Sequence, residues 1–583
     1  MSVKMPVKSH RILDPLYGYV EFNDVEKLVM DNPFVQRLRR IVQTQQTQLV
    51  YPSLTHTRFS HSLGVMYLMG NAFDILYPQL INKLVDASDL DDLDDSFRDS
   101  IRIGVRIGSL LHDVGHVTLS HWLEPFIEKW AENQQQTDQQ STDRPIIFRD
   151  HEELGYYLSK YVILPDFYRR LSENGNWKEY LDPTYVCFVA ECMLYPPEKL
   201  KQEVNKVYGN FLFNNVLDYY VNVILKDLAK YYNINLETGR GRILRALVFP
   251  FYQLLHLWVF TLDEVDYLTR DNLVAGTEFG QIDWMRLLKF TYILPAEFDN
   301  NVKSLYLNID IEKVRHNLKL FYESYFHTYN FVYGHAVVKF FDNLAASLLE
   351  DSNNLKNNFS NLLKEVSDLL GEISKHKHTS TTTDRLENIK RSVNRIQLFI
   401  KLSELVDATF MQQVIKEYAN SIQLSGLERE ELPDEQTRQL NKIQQYISRQ
   451  PNYKVVYRLI ALPKDNKVLK NLNAANIQWK DFISKLNGKL KNKFDKDSFI
   501  LYDLNFRSSK GVRYLPSDTI IDRNNNWDFE SFLGDIAQEF NGYCFWTALL
   551  YLKKDTLSKK EEIRDIVRKF RGPPLLRLRR YEY

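Results

Sequence analysis

Histidine side chains are concentrated in one part of the chain. Six of the 13 histidines fall between residues 56 and 151, far more than an even distribution predicts. Imidazole both binds transition metals and transfers protons near neutral pH. The enrichment therefore indicates metal or acid–base chemistry in this region. The six are His56, His61, His112, His116, His121 and His151.

An adjacent His-Asp pair follows an apolar run. Residues 101–111 are largely apolar and lead into His112 and Asp113, with His116 four positions after the first histidine. Side chains at i and i+4 lie on one face of a helix, so a helix here predicts that His112 and His116 face the same way. Asp113 offers an oxygen ligand beside a nitrogen ligand.

A second polar constellation occurs far downstream. Asp263, Tyr267 and Asp271 are spaced four residues apart, so a helix places all three along one stripe. Two carboxylates and a phenol make a poor core stripe, but they suit the lining of a polar pocket. We therefore expect this stripe to face a site.

Each of these residues, taken alone, has a structural explanation. His61 suits a hydrogen-bonded core histidine, and His121 suits the C-terminal end of a helix. Tyr267 suits a core aromatic, and Asp271 suits a surface ion pair with Arg270. The joint occurrence in the order His, His-Asp, Asp favours a site over these separate explanations.

At these motifs the sequence resembles the HD-domain phosphohydrolases. Within them it is similar to the deoxynucleoside triphosphate triphosphohydrolase group, which includes vertebrate enzymes carrying SAM and HD domains. The resemblance covers roughly residues 9–345, and a weaker likeness extends over residues 498–570. The matching segments are residues 11–20, 31–39, 56–64, 112–116, 120–121, 151–152, 263–271 and 326–330.

The resemblance implies one metal ion held by four side chains. Its ligands would be His61, His112, Asp113 and Asp263. Two imidazoles and two carboxylates suit a divalent ion such as Fe, Mn, Mg, Zn, Ni or Co. The ion would act as a Lewis acid and activate water for attack on phosphorus.

The remaining histidines of the cluster match the proton-transfer residues of the family. The resemblance implies that His116 and His151 steady phosphate charge or protonate the leaving sugar oxygen. His121 matches a further histidine of this set. Glu124 and Glu152 fall where acidic partners would orient His121 and His151. The expected catalytic groups are His116, His121, His151 and Glu152.

The resemblance also implies a substrate side to the site. Arg58 matches an arginine that faces substrate, and Gln43 falls where the family contacts base or sugar. Tyr267 and Asp271 match residues that hold the deoxyribose and leave no room for a 2′-hydroxyl. The implied substrate is a nucleotide, and the best-matched activity releases deoxynucleoside and inorganic triphosphate from a dNTP.

Two departures from the family pattern lower the positive charge expected near the phosphates. Glu264 stands where the vertebrate enzymes have lysine, and Tyr329 replaces an arginine that grips phosphate. Charge-assisted phosphate contacts contribute about 1.5–3 kcal/mol each. These changes leave open an HD-type nuclease or nucleotide phosphatase acting on a single phosphate group, or a non-catalytic nucleotide sensor.

Composition limits the class of protein. Lys+Arg and Asp+Glu are 75 each, and 44% of residues are hydrophobic, which favours a globular protein over a wholly electrostatic nucleic-acid coat. Three cysteines do not make a disulfide framework, and no apolar leader begins the sequence. The apolar residues 246–260 predict a buried helix rather than a membrane span. We expect a cytoplasmic protein without membrane association.

The C-terminal tail is basic. Residues 564–580 contain seven arginines and lysines against one aspartate, which could bind nucleic acid. A solvated or subunit-pairing tail is the alternative, since charge runs are usually solvated. The proline-free stretch between Pro295 and Pro433 repeats apolar residues at three- and four-residue spacing, which predicts long helices. These helices could form the interface of a homo-oligomer, which the family commonly has.

The elements that position these residues are predicted to be mainly helical. Residues 1–345 are assigned to an HD-domain helical core and residues 346–450 to a helical extension, with 375–383 separating two long helices. Short β-branched and aromatic runs at 454–462, 498–506 and 543–552 predict strands, so residues 451–583 are assigned to a small α+β unit. Residues 86–95 predict a solvated loop or a helix start, and the glutamine-rich residues 132–142 predict an insertion without regular structure.

Overall fold

The computed structural model of the protein describes most of the chain. Residues 85–92 of the acidic run, residues 138–142 of the glutamine-rich segment and residues 376–383 of the predicted break lie outside the described residues. The described residues are 9–84, 93–137, 145–173, 177, 180–209, 213–237, 239–298, 302–375, 385–425, 434–451, 453–463, 472–494, 499–503, 546–574 and 576–582.

A β-hairpin and a succession of helices make up the first part of the chain. Single turns of 3-10 or π helix connect several of them. The elements are β1 (Ser9–Asp14), β2 (Gly18–Asn23), α1 (Asp24–Met30), α2 (Pro33–Gln36), α3 (Arg58–Leu84), α4 (Asp95–Leu111), α5 (Glu124–Thr137), α6 (His151–Leu158), α7 (Leu164–Glu173), α8 (Pro183–Met193), α9 (Pro197–Tyr208), α10 (Phe213–Tyr219), α11 (Leu225–Tyr232), α12 (Gly239–Tyr252) and α13 (Leu262–Ala275).

The second part adds a hairpin, a series of long helices and a small α+β unit. Its elements are α14 (Trp284–Lys289), β3 (Thr291–Phe298), β4 (Val302–Ile309), α15 (Ile311–His327), α16 (Ala336–Asp351), α17 (Asn353–Ser374), α18 (Arg385–Glu404), α19 (Asp407–Ser425), α20 (Asp434–Ser448), β5 (Tyr453–Pro463), α21 (Leu472–Lys491), β6 (Phe499–Asp503), β7 (Trp546–Lys553), α22 (Lys560–Lys569) and β8 (Leu576–Glu582).

The C-terminal unit is built on an antiparallel sheet. Strands β6, β7, β5 and β8 pair in that order, while β1–β2 and β3–β4 are separate two-stranded hairpins. The three predicted strands are confirmed as β5, β6 and β7. The mainly α fold with a small α+β C-terminal unit is therefore confirmed.

Two local predictions were wrong. The glutamine-rich segment is helical as far as Thr137, where it continues α5. The proline-free stretch predicted long helices, but β4 lies at its beginning and pairs with β3. Leu305, Leu307 and Ile309 are buried along β4, and their spacing of two residues is the period that marks a strand.

Apolar burial forms two clusters. One extends from Val20 to Tyr446 and also includes Leu549 and Tyr551, while the other joins β5, α21, β7 and α22. The domain boundaries near residues 345 and 450 stay predictions.

The segment Gly239–Ala275 contains an 18-residue stretch that is apolar enough to cross a membrane, with mean hydropathy 1.5, yet 94% of that stretch is buried in the protein. It therefore has the burial of a core helix, as its sequence predicted.

The basic tail is partly a structural element. Strand β8 pairs with β5 in the register Tyr457↔Glu582. Arg580 donates to the backbone carbonyls of Val567 (3.1 Å) and Phe570 (2.6 Å) at the end of α22. At least one tail arginine is thus committed to the fold, and nucleic-acid binding by the tail stays a prediction.

Candidate active site

Three helix ends bring the predicted ligands together. His61 lies in the first turn of α3, His112 directly follows the last residue of α4, and Asp263 lies in the first turn of α13. Helix α3 packs against both α4 and α13. A capping box of Thr261 and Glu264 defines where α13 begins, so local sequence sets the position of Asp263.

The His-Asp motif itself forms turns. Helix α4 ends at Leu111, and the following backbone makes tight turns in which His116 N donates to Asp113 O (3.0 Å). The prediction of a helix through His116 is therefore wrong. Gly115 accounts for the close packing here, because a Cβ at this position would lie 2.0 Å from the carbonyl oxygen of His151. The turns redirect His112 and His116 toward different neighbours.

The four predicted metal ligands converge. His61 Nε2 lies 2.9 Å from Asp263 Oδ1 and 3.7 Å from Asp113 Oδ2. His112 Nε2 lies 3.5 Å from an oxygen of each carboxylate. Ligand atoms about 2.1 Å from an ion are roughly 3 Å apart when adjacent, so these separations fit one divalent ion. His61, His112 and Asp113 form a group that could hold a metal.

Hydrogen bonds on the far side of each imidazole orient the two histidines. His61 Nδ1 lies 2.8 Å from Asp266 Oδ2, and His112 Nδ1 lies 2.8 Å from the carbonyl oxygen of Ser109. Such partners fix the tautomer that presents Nε2 to a metal. Among the described residues, no group hydrogen-bonds to the buried Nε2 of His112. The donor set and this free nitrogen both fit a bound cation.

The local field favours positive charge. Burial lowers the pKa of His61, but hydrogen bonds to Asp263 and Asp266 outweigh it and raise this pKa to about 10. Burial opposes the charge of Asp113, yet Arg58 and nearby histidines hold the pKa of this carboxyl well below its usual range. A position where carboxylates stabilise a proton this strongly also stabilises a metal cation.

A buried ion-pair network stands behind His61. Arg270 binds Asp266 through Nε and Nη2 (2.9 Å each) and Asp14 through Nη1 (2.8 Å). All three side chains are almost completely buried. Gly64 makes room for the network, since a Cβ there would lie 1.9 Å from Asp266 Oδ1. The network connects the β1–β2 turn to the candidate metal centre.

The other three histidines form a second cluster beside the first. The rings of His116 and His151 stack with centroids 3.7 Å apart, and His121 contacts both edge-on at 5.0 Å. Glu124 Oε1 accepts from Nδ1 of His121 (2.9 Å) and from Nδ1 of His151. His116 Nε2 also lies 3.2 Å from Asp113 Oδ1, so the two clusters share a carboxylate.

Neighbouring charges give the stacked histidines different protonation. Burial, Arg58 and His151 lower the pKa of His116 well below the usual value. Burial also opposes charge on His151, but Glu124 outweighs it and raises the pKa of this imidazole, with a further contribution from Glu152. At any given pH, His151 therefore holds a proton more strongly than the stacked His116 does.

The predicted substrate residues are placed less uniformly. Arg58 is buried, donating to Asp113 Oδ2 (2.7 Å) and Ser120 Oγ (3.0 Å). Gln43 is buried and donates from its backbone N to the carbonyl oxygen of His56 (3.0 Å), while its Oε1 has no hydrogen-bond partner among the described residues. Glu264 accepts from Thr261 N (3.1 Å) in the capping box, so this carboxylate is engaged at the start of α13.

The aromatic side of the site contains a phenol pair and a buried acid. Tyr267 and Tyr329 place their hydroxyl oxygens 3.2 Å apart. Asp271 is 1% exposed. Its oxygens bind His56 Nε2 (2.7 Å) and the hydroxyl of Tyr333. Both oxygens of this buried carboxylate are therefore engaged by residues of other segments.

Sequence reasoning missed several residues of this arrangement. Asp266 follows Asp263 by three positions, which was a readable signal of a second acid on the same helix face. His56 was counted in the histidine enrichment but given no role. Arg270 stands four positions after Asp266, which is the spacing of an ion pair on one helix face, whereas Tyr333 carried no signal because its partner Asp271 is 62 positions away.

Comparison with known proteins finds short local sequence similarities. No family model matches the chain. It is similar to the deoxynucleoside triphosphate triphosphohydrolase SAMHD1 of Bos taurus, with 46% identity over 59 residues, or 10% of this chain and 10% of that protein. SAMHD1 of Homo sapiens is 39% identical over 69 residues, or 12% and 11%. The uncharacterized protein MJ1154 of Methanocaldococcus jannaschii is 46% identical over 57 residues, or 10% and 13%.

These matches span about a tenth of the length of the curated relatives. A crystal structure of a hypothetical protein from Aquifex aeolicus aligns over 96% of this chain and 100% of that one, with TM-score 0.47 and 17% identity. That alignment is too distant to establish a common fold. The short local matches suggest a relationship to HD-domain dNTP triphosphohydrolases.

Proposed function

We propose that the protein is a metal-dependent nucleotide phosphohydrolase that converts dNTPs to deoxynucleoside and inorganic triphosphate. The convergence of His61, His112, Asp113 and Asp263 carries this proposal. The local similarity to SAMHD1 proteins, whose name states that activity, gives the reaction class. Nucleotide binding, homo-oligomerisation and a cytoplasmic location belong to the same proposal.

The four ligands would hold a divalent ion such as Fe, Mn, Mg, Zn, Ni or Co. When bound, such an ion supplies Lewis acidity toward a phosphate oxygen and lowers the pKa of water. In the reaction, water adds to the α-phosphorus and the bond from that phosphorus to O5′ breaks. The leaving oxygen then takes up one proton, which gives the deoxynucleoside.

His151 is the best-placed proton donor for that step. Glu124 raises the pKa of His151 by stabilising the positive charge, so this imidazole retains its proton to higher pH than an ordinary histidine. The stacked His116 stays neutral, so it can accept a proton from water or from its neighbour. Because the two rings are in contact, one site holds both a general acid and a general base.

Arg58 and the ion-pair network around Asp266 keep the ligands in place. Arg58 fixes one oxygen of Asp113, while Asp266 fixes His61. These hydrogen bonds therefore orient the ligands before the substrate binds. Such preorganisation reduces the reorganisation that the reaction would otherwise require.

One observation favours a second reaction at the same site. Tyr329 stands where the family has a phosphate-gripping arginine, and its hydroxyl faces Tyr267. Two neutral phenols bind a long polyphosphate less strongly than a guanidinium does. This pair of phenols would therefore suit a nuclease or nucleotide phosphatase that acts on one phosphate group.

Product identification separates the two reactions. Purified full-length protein, loaded with Mn²⁺ or Fe²⁺, is incubated with each dNTP and each NTP, and the products are resolved by anion exchange and mass spectrometry. We expect deoxynucleoside and triphosphate in equal amounts. Orthophosphate alone would replace the triphosphohydrolase proposal with stepwise phosphatase activity, and cleaved single-stranded DNA or RNA would favour a nuclease.

Variants test the site itself. The double substitution His112→Ala and Asp113→Ala removes an imidazole and a carboxylate ligand, so metal content and turnover should both be lost while the far-ultraviolet circular dichroism is retained. His316→Ala, at an exposed histidine of α15, is the matched control and should change neither. Turnover by the double variant would refute the assigned ligands.

A further inference from the structure

Two consecutive residues between His116 and His121 have left-handed backbone conformations. Leu119 has a φ of +58° and Ser120 a φ of +43°. Residues with a Cβ adopt this region only at an energetic cost, and such strain persists only where surrounding contacts over-determine the backbone. Contacts from outside the loop must therefore hold it.

Asp407, in the first turn of α19, supplies such contacts. Its Oδ1 accepts from Thr118 Oγ1 (3.1 Å) and from the strained Leu119 N (3.2 Å). Thr118 N also donates to the carbonyl oxygen of Leu405 (2.8 Å). These bonds join the loop to a segment 288 residues further along the chain.

The second oxygen of the same carboxylate holds another segment near the site. Asp407 Oδ2 accepts from Val42 N (2.7 Å). Val42 forms an antiparallel bridge with Thr57, directly before Arg58. One side chain of the helical extension thus fixes both the loop that leads to His121 and the pair of segments that leads to Arg58.

The two held segments also contact each other. Arg58 Nε donates to Ser120 Oγ (3.0 Å) across their junction. Within the described part of the chain, all three hydrogen bonds that Asp407 accepts come from these segments, and none comes from α19 itself. A carboxylate is the side chain that accepts on both oxygens and donates nothing, which suits three converging donors.

We propose that Asp407 is a positioning residue of the candidate active site, which sets the placement of His121 and Arg58 from outside the HD motifs. The catalytic consequence rests on the proposed function, whereas the holding of the two segments does not. The extension that carries α19 then completes the site. Loss of the carboxylate should then displace catalytic groups without removing a metal ligand.

The test compares full-length variants by amide hydrogen exchange and by steady-state kinetics. Asp407→Ala should raise the exchange rate of the Val42 and Leu119 amides at least tenfold. It should lower kcat by about 10- to 100-fold, the cost of a small misplacement of catalytic groups, with a smaller change in KM and unchanged metal content. Asp407→Asn should lower kcat nearly as much, because the NH₂ group of the asparagine would face a backbone N–H and could not accept its hydrogen bond. Thr118→Val removes one of the three bonds and should lower kcat only a few-fold.

Asp182→Ala is the matched control. Asp182 caps α8 by accepting from Thr184 N (2.8 Å), so its loss removes a helix cap without touching either held segment. Equal losses of kcat in Asp182→Ala and Asp407→Ala would overturn the proposal. So would unchanged amide exchange, together with a kcat within twofold of wild type, in both Asp407→Ala and Thr118→Val. If the wild-type protein hydrolyses no nucleotide, the proposed function fails, and amide exchange alone decides whether Asp407 holds the segments.

Discussion

Asp266 should control the affinity of the proposed metal site, because it binds His61, one of the proposed ligands. Its Oδ2 accepts from His61 Nδ1 and from Arg270 Nε, and its Oδ1 accepts from Arg270 Nη2. The side chain is completely buried. The substitution Asp266→Asn preserves size and one acceptor oxygen, so it removes charge and a hydrogen bond with little change in packing.

The expected magnitude follows from these contacts. With its oxygen kept toward His61, the introduced asparagine would present an NH₂ group to Arg270 Nη2 and lose one charge-assisted hydrogen bond, which contributes about 1.5–3 kcal/mol. Arg270 would retain Asp14 as its partner, so the cost should stay below the roughly 3–5 kcal/mol of a fully broken buried pair. The weaker orientation of His61 should reduce metal affinity by about 10- to 100-fold.

The assay is a calorimetric Mn²⁺ titration of chelator-treated protein, with urea unfolding to measure the free energy of unfolding. Asp74→Asn is the matched control, because Asp74 makes the same two-point contact with Arg102 (2.8 and 2.7 Å) at the surface. Exposed pairs contribute at most about 1 kcal/mol, and this pair is outside the site. A Kd for Mn²⁺ within twofold of wild type in Asp266→Asn would refute the role of this carboxylate.

Two further perturbations test the surroundings of the two clusters. Gly64→Ala places a methyl group 1.9 Å from Asp266 Oδ1, so it should displace the network and lower both metal content and the thermal midpoint; unchanged values in metal analysis and thermal scanning would contradict the tight packing. Glu124→Gln removes the charge that raises the pKa of His151. Since a raised pKa keeps the acid protonated to higher pH, the alkaline fall in kcat should begin at lower pH in the variant, and an unmoved pH profile would exclude His151 as the acid.

Much of the fold was predictable because it depends on local pattern. Apolar periodicity predicted the long helices, and the β-branched run at residues 454–462 predicted β5. The strand β4 was missed because the alternation of Leu305, Leu307 and Ile309 lies in a proline-free stretch dominated by helices. The turn at Gly115 was missed because its cause is close packing against α6.

The site was predictable only where its residues share a motif or a helix. Asp113 beside His112, and the stripe from Asp263 to Asp271, lie close in sequence and were identified there. The contact between Asp271 and His56 was not predictable, because those residues are 215 positions apart. No local sequence pattern indicates which face of a helix a histidine from a distant segment will contact.

The sequence by itself determined which groups are available: helices with defined starts, a His-Asp pair, and acids repeated along α13. Spacing along a helix is a short-range property, so it can be read directly from the sequence. Only the tertiary structure decided that Asp266 orients His61, that Glu124 joins two histidines, and that Asp407 holds a strained loop. These hydrogen bonds act over about 3 Å, and which atoms come that close depends on how distant helices pack.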